Sequence, residues 1–194
     1  MINIGVIDLQ GAVSEHTKIL ERCGVIPVKI KKTVQIDDID GLIIPGGESS
    51  TIGQLMKEYG FFEKIREFAS SAKPIYGTCA GLILMSKNVI GEKRKMLSIM
   101  DIEVRRNAFG RQIDSMEIDI KIPKLGNKEF PAVFIRAPII EKIGKQVEIL
   151  AEIDDRIVMA QQENLLVSAF HPELSNDDRI HQYFLNLVNK RWGQ

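Results

Sequence analysis

The sequence contains only two cysteines, Cys23 and Cys79, among 194 residues. That is too few for a disulfide framework and fits a reducing compartment in which a free thiol does chemistry. Charge of one sign is not in excess either, because 26 Lys and Arg balance 26 Asp and Glu. Nothing of that kind would draw nucleic acid or an acidic membrane surface. No apolar stretch approaches the length needed to span a bilayer, and the first residues carry no charged leader. A cytoplasmic protein that binds neither membrane nor nucleic acid is expected. Internal repeats, linkers and low-complexity tracts are missing too, and the hydrophobic content of 44% suffices for one sizeable core, so a single domain over residues 1–194 is expected. His-Glu-x-x-His and paired-cysteine motifs are absent, as are Gly-x-x-x-x-Gly-Lys-Ser/Thr and Gly-x-Gly-x-x-Gly. No metal, nucleotide or other cofactor is indicated.

What is present begins with an almost unbroken apolar run at residues 2–9, as in a strand covered on both faces. Residues 12–23 form an amphipathic pattern ended by Gly24, and 25–30 return to strand. This β-α-β opening predicts a parallel sheet with right-handed crossovers. Residues 31–40 read as a polar connection, 41–44 as a buried strand ending at Pro45-Gly46-Gly47, and 52–59 and 61–72 as helices, with N-caps for the first in Glu48-Ser49-Ser50-Thr51. Beyond Lys87 the mixed apolar segments at 96–104, 115–122, 132–135, 147–153, 156–161 and 165–170 look like antiparallel strands, with Asp154-Asp155 as a hairpin turn. Ile180, Tyr183, Phe184, Leu187 and Val188 make the apolar face of a C-terminal helix. The expected fold class is α/β: a doubly wound, mostly parallel sheet with helices on both faces and additional antiparallel strands in the second half.

The chemistry centres on Gly77-Thr78-Cys79-Ala80-Gly81, which joins an apolar strand to an apolar helix. In such an elbow the two glycines let strand and helix approach around a strained turn, and the central residue projects towards substrate. A lone cysteine is more often structural, but this context makes Cys79 the candidate nucleophile, provided a base is at hand. Of three histidines, His16 and His181 lie in amphipathic helices, where solvent-facing or packing roles are the default; His171 follows a buried strand, at the same kind of edge as Cys79. If His171-Pro172-Glu173 stays extended, residues two apart share a side, and Glu173 can hold the imidazole. The backbone N–H groups of Ala80 and of the Gly46-Gly47 loop, Gly47 foremost, are candidate oxyanion donors.

Three of these segments, Pro45-Gly46-Gly47-Glu48-Ser49, the cysteine elbow and His171-Pro172-Glu173, resemble in order and spacing the class I (triad) glutamine amidotransferases. Leu9-Gln10-Gly11-Ala12, residues 103–112 and Phe134-Ile135-Arg136-Ala137-Pro138 narrow the resemblance to the branch of glutaminase subunits that serve pyridoxal 5′-phosphate synthesis, over essentially the whole chain. The resemblance implies that Cys79 attacks the side-chain amide of L-glutamine, with His171 as base and Glu173 as its support. It further implies a glutamine pocket of Gly47, Glu48, Ser49, Arg106, Ile135 and Arg136, and a partner synthase subunit with a (β/α)8 barrel that receives the ammonia. Gln10 would lie near the partner's contact surface. For Arg106 the physics agrees, since a guanidinium fork matches a free α-carboxylate; Arg105, Arg111 and Arg136 also read as surface charge. Asp8 and Ile139 depart from the branch's usual residues. The competing readings are a stand-alone cysteine hydrolase or peptidase and a catalytically silent regulatory subunit.

Overall fold

The first strand, β1 (Asn3–Ile7), is buried from its second residue onward, as a strand covered on both faces must be. The computed structural model describes residues 1–94, 96–108 and 115–192, without the side chains of 191 and 192. After β1 come α1 (Val13–Arg22), β2 (Ile26–Ile30), a 3₁₀ turn at Thr33–Asp38, β3 (Gly41–Ile44), α2 (Ser49–Glu58), α3 (Phe61–Ser70), β4 (Ile75–Thr78) and α4 (Ala80–Met85). The second half contributes β5 (Ser86–Val89), β6 (Met100–Arg105), β7 (Ser115–Ile120), β8 (Phe130–Ile135), β9 (Ile139–Ile143), β10 (Glu148–Ile153), β11 (Arg156–Gln162), β12 (Leu165–Ser168) and α5 (Arg179–Trp192).

Strands β2-β1-β3-β4-β12 pair in parallel in that order, and β11, β9, β6 and β5 extend the same sheet, with β10 attached to β11. Antiparallel pairing joins β12 to β11, β11 to β10 and to β9, and β9 to β6, while β7 and β8 form a separate antiparallel pair. The chain runs from β1 outward to β2 and then back past β1 to β3, so the winding reverses between β1 and β3. Ligands of open α/β sheets bind beyond the carboxyl ends of strands at such a reversal.

Alternation along β4 shows helices on both faces. Tyr76 packs on Phe184 of α5, ring centroids 5.8 Å apart. Its neighbour Gly77 faces the other way, where an added Cβ would lie 2.7 Å from the Gly81 backbone and the Met85 sulfur of α4. The core between these layers includes Ile4, Val6, Leu42, Ile43, Ile44, Leu166 and Val167, all with no exposed surface; each such side chain contributes about 1.5–3 kcal/mol by leaving water.

The expected α/β class is thus observed, with differences in detail. Helix α2 starts at Ser49, three residues before the expected position, because the Glu48 side chain accepts from the Ser50 and Thr51 amides and caps it. Strand β5, Ser-Lys-Asn-Val, has too little apolar pattern to be read from sequence, and it pairs parallel with β6. Strand β9 was likewise not foreseen. Asp154 and Asp155 both take positive φ (47° and 61°), the left-handed geometry of a tight β10–β11 hairpin turn.

Candidate active site

Four strands end at one place. Residues 8–12 follow β1, the Gly46-Gly47 loop follows β3, Cys79 follows β4, and residues 169–173 follow β12. The elbow is built as its glycines imply. Cys79 has φ 46° and ψ −97°, an unfavourable conformation for a side-chain-bearing residue, and its N–H is pinned to the Ser168 carbonyl at 2.8 Å. A Cβ on Gly81 would collide with the Ile44 carbonyl oxygen, so only glycine permits α4 to start this close to β3. The Cys79 Sγ lies 3.9 Å from the Ile135 carbonyl oxygen, and the residue is 7% exposed.

On one side His171 faces Cys79, whose sulfur helps to raise the imidazole pKa. On the other, its Nδ1 stands 2.8 Å from Glu173 Oε1, with that carboxylate wholly buried. Burial of the imidazole opposes a charge, but the hydrogen bonds to Cys79 and Glu173 and the charges of both outweigh it and hold the His171 pKa up to about 10. Burial likewise works against a charged Glu173, yet the neighbouring His16 and the hydrogen bond and charge of His171 keep its carboxyl below the usual range. His171 therefore sits as an imidazolium between the Cys79 sulfur and the Glu173 carboxylate. The route by which Glu173 arrives differs from the extended tripeptide expected: Pro172–Leu174 is a 3₁₀ turn, and His171 (φ −106°, ψ 86°) leads into it. The turn folds Glu173 back under the ring, which an extended chain would not do.

A cavity of about 270 Å³ opens over Cys79 and His171. Gly47, Glu48, Ser49, Arg106, Ile135 and Arg136 all line it. Every residue expected at a glutamine pocket is thus brought to one wall or another. Gln10 lines it too, and its Oε1 accepts from the Glu48 N–H at 2.9 Å. A larger open depression of about 960 Å³ at Asp119, Lys128 and Arg179 has no nucleophile. Arg136, with φ 43°, is backbone-strained at the rim.

The Gly46 carbonyl accepts from the Ala12 N–H at 3.0 Å. A trans amide aims its N–H opposite its carbonyl, so the Gly47 N–H is turned away from α1. The Ala80 N–H opens α4, where helix geometry leaves it without an intrahelical acceptor.

Several features were not legible beforehand. Arg106 is already engaged: its Nη1 donates to Glu92 at 2.5 Å and to Ser50 Oγ at 3.3 Å, and its Nη2 to Glu48 at 3.3 Å. Glu92 carries no sequence signal, since it lies on an irregular turn far from every motif. Although burial pushes upward, the hydrogen bonds from Ser50 and Thr51 hold the Glu48 carboxyl down to about 2, so it serves both as a helix cap and as a pocket charge. Arg105 instead pairs with Glu141 at 2.5 Å, Asp8 with Lys31 at 3.5 Å, and Ile139 is buried. Arg111 lies outside the described residues. His16 and His181 are not solvent-facing; both are fully buried.

The fold is that of a glutamine amidotransferase. A solved crystal structure described by that name superposes with a TM-score of 0.91 at 40% identity, covering 96% of this chain and 98% of the other. The chain belongs to the SNO glutamine amidotransferase family, whose model matches residues 6–190. The pyridoxal 5′-phosphate synthase subunit PdxT of Carboxydothermus hydrogenoformans is 51% identical over 189 residues, 97% of this chain and 99% of that protein. PdxT of Moorella thermoacetica is 51% identical over 187 residues, covering 96% and 100% respectively.

Proposed function

We propose that this chain, folded as one domain, is the glutaminase subunit of a pyridoxal 5′-phosphate synthase. It hydrolyses L-glutamine to L-glutamate and ammonia and passes the ammonia to a synthase subunit. The relatives named PdxT, similar along nearly their whole length, support the pathway and the partner. The observation that carries the chemistry is His171, on the same cavity as Cys79 and held from behind by Glu173 Oε1 at 2.8 Å.

With His171 as an imidazolium, the Cys79 thiolate adds to the glutamine side-chain carbonyl carbon. The negative oxygen of the tetrahedral adduct is received by the Gly47 and Ala80 N–H groups. His171 then gives its proton to the departing nitrogen, ammonia leaves, and a γ-glutamyl thioester remains on Cys79. The now neutral His171 draws a proton from water as it attacks the thioester; glutamate departs and the thiolate–imidazolium pair is restored. Glu173 holds the ring in the orientation both steps need. Arg106 binds the substrate α-carboxylate and Glu48 faces the α-ammonium, with Ser49, Ile135 and Arg136 completing the pocket.

Ammonia is a small neutral product that diffuses away unless its acceptor is near, which fits an obligate complex with a synthase subunit built on a (β/α)8 barrel. That subunit would combine ammonia with a pentose phosphate and a triose phosphate. A cytoplasmic setting suits a nucleophile that must stay reduced. The test is glutamate release with and without the synthase subunit, for wild type and Cys79→Ala. The complex is expected to be active and the mutant silent; no release from the wild-type complex, or equal release from the mutant, refutes the reading.

A further inference from the structure

Glu173 has a second oxygen, Oε2, which is buried and has no hydrogen-bond partner among the described residues. A buried carboxylate oxygen without a donor is costly, so a polar group beside it matters. His16 Nε2 lies 3.5 Å away. The same nitrogen lies 3.2 Å from Thr78 Oγ1, and the other ring nitrogen, Nδ1, lies 3.0 Å from His181 Nε2. Thr78 Oγ1 in turn accepts the Gly46 N–H at 2.9 Å. Two helices, α1 and α5, thus place buried imidazoles in file behind the triad, and the file ends on the residue next to Cys79 and on the Gly46-Gly47 loop.

Two proton arrangements satisfy the His16–His181 contact, and they differ at the ends of the file. If His16 carries its proton on Nδ1, its bare Nε2 lone pair faces the Glu173 carboxylate, and His181 Nδ1–H is left buried without an acceptor, since that atom has no partner. If His181 donates from Nε2 and His16 from Nε2, a proton faces both Glu173 Oε2 and Thr78 Oγ1. The only atom then unpartnered is a lone pair on His181 Nδ1. The second arrangement removes a like-charge contact and an orphaned donor together.

We infer that His16, with His181 behind it, is a positioning residue of the triad: its Nε2–H steadies the free oxygen of Glu173 and, through Thr78, ties the triad to the Gly46-Gly47 loop. This rests on the triad reading of Cys79, His171 and Glu173. The charged and titratable groups facing the pair are Glu173 and His171 from the 3₁₀ turn, Glu15 and Arg22 from α1, and Tyr76 from β4 beside His181. Burial, the largest influence on each ring, lowers both pKa values, that of His181 to about 3. Burial thus opposes a charge on either ring.

The chain has three histidines, so long-range ¹H–¹⁵N spectra of histidine-labelled full-length protein resolve each ring. His16 and His181 are expected as neutral Nε2–H tautomers between about pH 7 and 9 while His171 is protonated over most of that range. An Nδ1–H tautomer at His16 would overturn the inference. His16→Leu removes donor and acceptor; His171 should then titrate about one unit lower, a tenfold change in its protonation equilibrium, and kcat in the synthase complex should fall with KM unchanged. His16→Gln, whose amide both donates and accepts, should restore both. If both variants leave the His171 titration where it is in wild type, the role is only structural and the inference fails, whatever their melting temperatures. If His16→Leu does not fold, His181→Phe reads the same shift in the same direction, and no shift there overturns the inference. Glu173→Gln is the control for the underlying reading: an unmoved His171 in that variant removes the triad itself.

Discussion

Arg106, on the wall of the pocket over Cys79, forms an ion pair with Glu92 at 2.5 Å through one guanidinium nitrogen and meets Glu48 at 3.3 Å through another. A substrate α-carboxylate bound as proposed would therefore share Arg106 with protein carboxylates. Arg106→Ala is expected to raise the glutamine KM by about tenfold to a hundredfold, the worth of a charge-assisted hydrogen bond, with kcat nearly unchanged. Glu92→Gln frees the guanidinium and should lower KM severalfold. Steady-state kinetics of the complex decide it; a loss confined to kcat in Arg106→Ala would remove the carboxylate-binding role.

Glu173 is buried behind His171 and does not line the cavity over Cys79, so Glu173→Gln should leave binding intact and slow turnover. Loss of the ring's anionic support is expected to lower kcat by about 10²–10⁴-fold. A glutamine side chain fits the same space, so the melting temperature should change little. A Glu173→Gln complex with wild-type kcat would show that His171 is oriented by something else.

The parts legible in the sequence are those where chemistry restricts residue choice. A Gly-x-Cys-x-Gly turn between an apolar strand and an apolar helix has few other uses, and a histidine just past a buried strand is the natural base. Parallel pairing from β1 to β4 followed from apolar runs separated by helix-length patterns. What stayed hidden depends on distant partners. Thr78 reads as filler between Gly77 and Cys79 until β3 brings the Gly46 N–H to its hydroxyl at 2.9 Å. His16 and His181 look like ordinary helical residues because 165 positions separate them, and only packing of α1 against α5 closes the gap to 3.0 Å. The 3₁₀ turn at Pro172–Leu174 shows the same limit: the contact of His171 with Glu173 was anticipated, but by an extended geometry that the chain does not adopt.

Two glycines near the site should separate stability from catalysis. A methyl on Gly81 meets the rigid Ile44 carbonyl, so Gly81→Ala is expected to cost about 1–3 kcal/mol or more and to lower the melting temperature. A methyl on Gly46 would instead press on the His171 ring, its Nδ1 at 2.8 Å, a side chain that can swing towards the cavity. Gly46→Ala should therefore lose activity with a smaller loss of stability. Thermal melts and glutaminase rates on the two variants check the contrast, and the reverse ordering would contradict it.

Stability should form a dome in pH, with its two sides set by different histidines. The His171 pKa is raised from 6.5 to about 10 in the folded chain. Its contribution is therefore complete below 6.5 and is lost as pH rises through the folded value. His181 is depressed from 6.5 to about 3. Its neutral burial favours folding fully above 6.5, and that advantage fades as pH falls from there towards 3, because the unfolded chain then binds the extra proton. Glu173, with its carboxyl lowered in the fold, adds a loss of the same sign below the ordinary carboxylate range. Cys79→Ala removes one of the two partners that raise the His171 pKa, so the alkaline decline should become shallower while the acid side is unchanged. His181→Phe should flatten the decline between about pH 6.5 and 4 and, by lowering the His171 pKa, make the alkaline decline end about one unit lower. Urea midpoints measured across pH for wild type and both variants test the assignment; an acid limb in His181→Phe as steep as in wild type would remove His181 from the account.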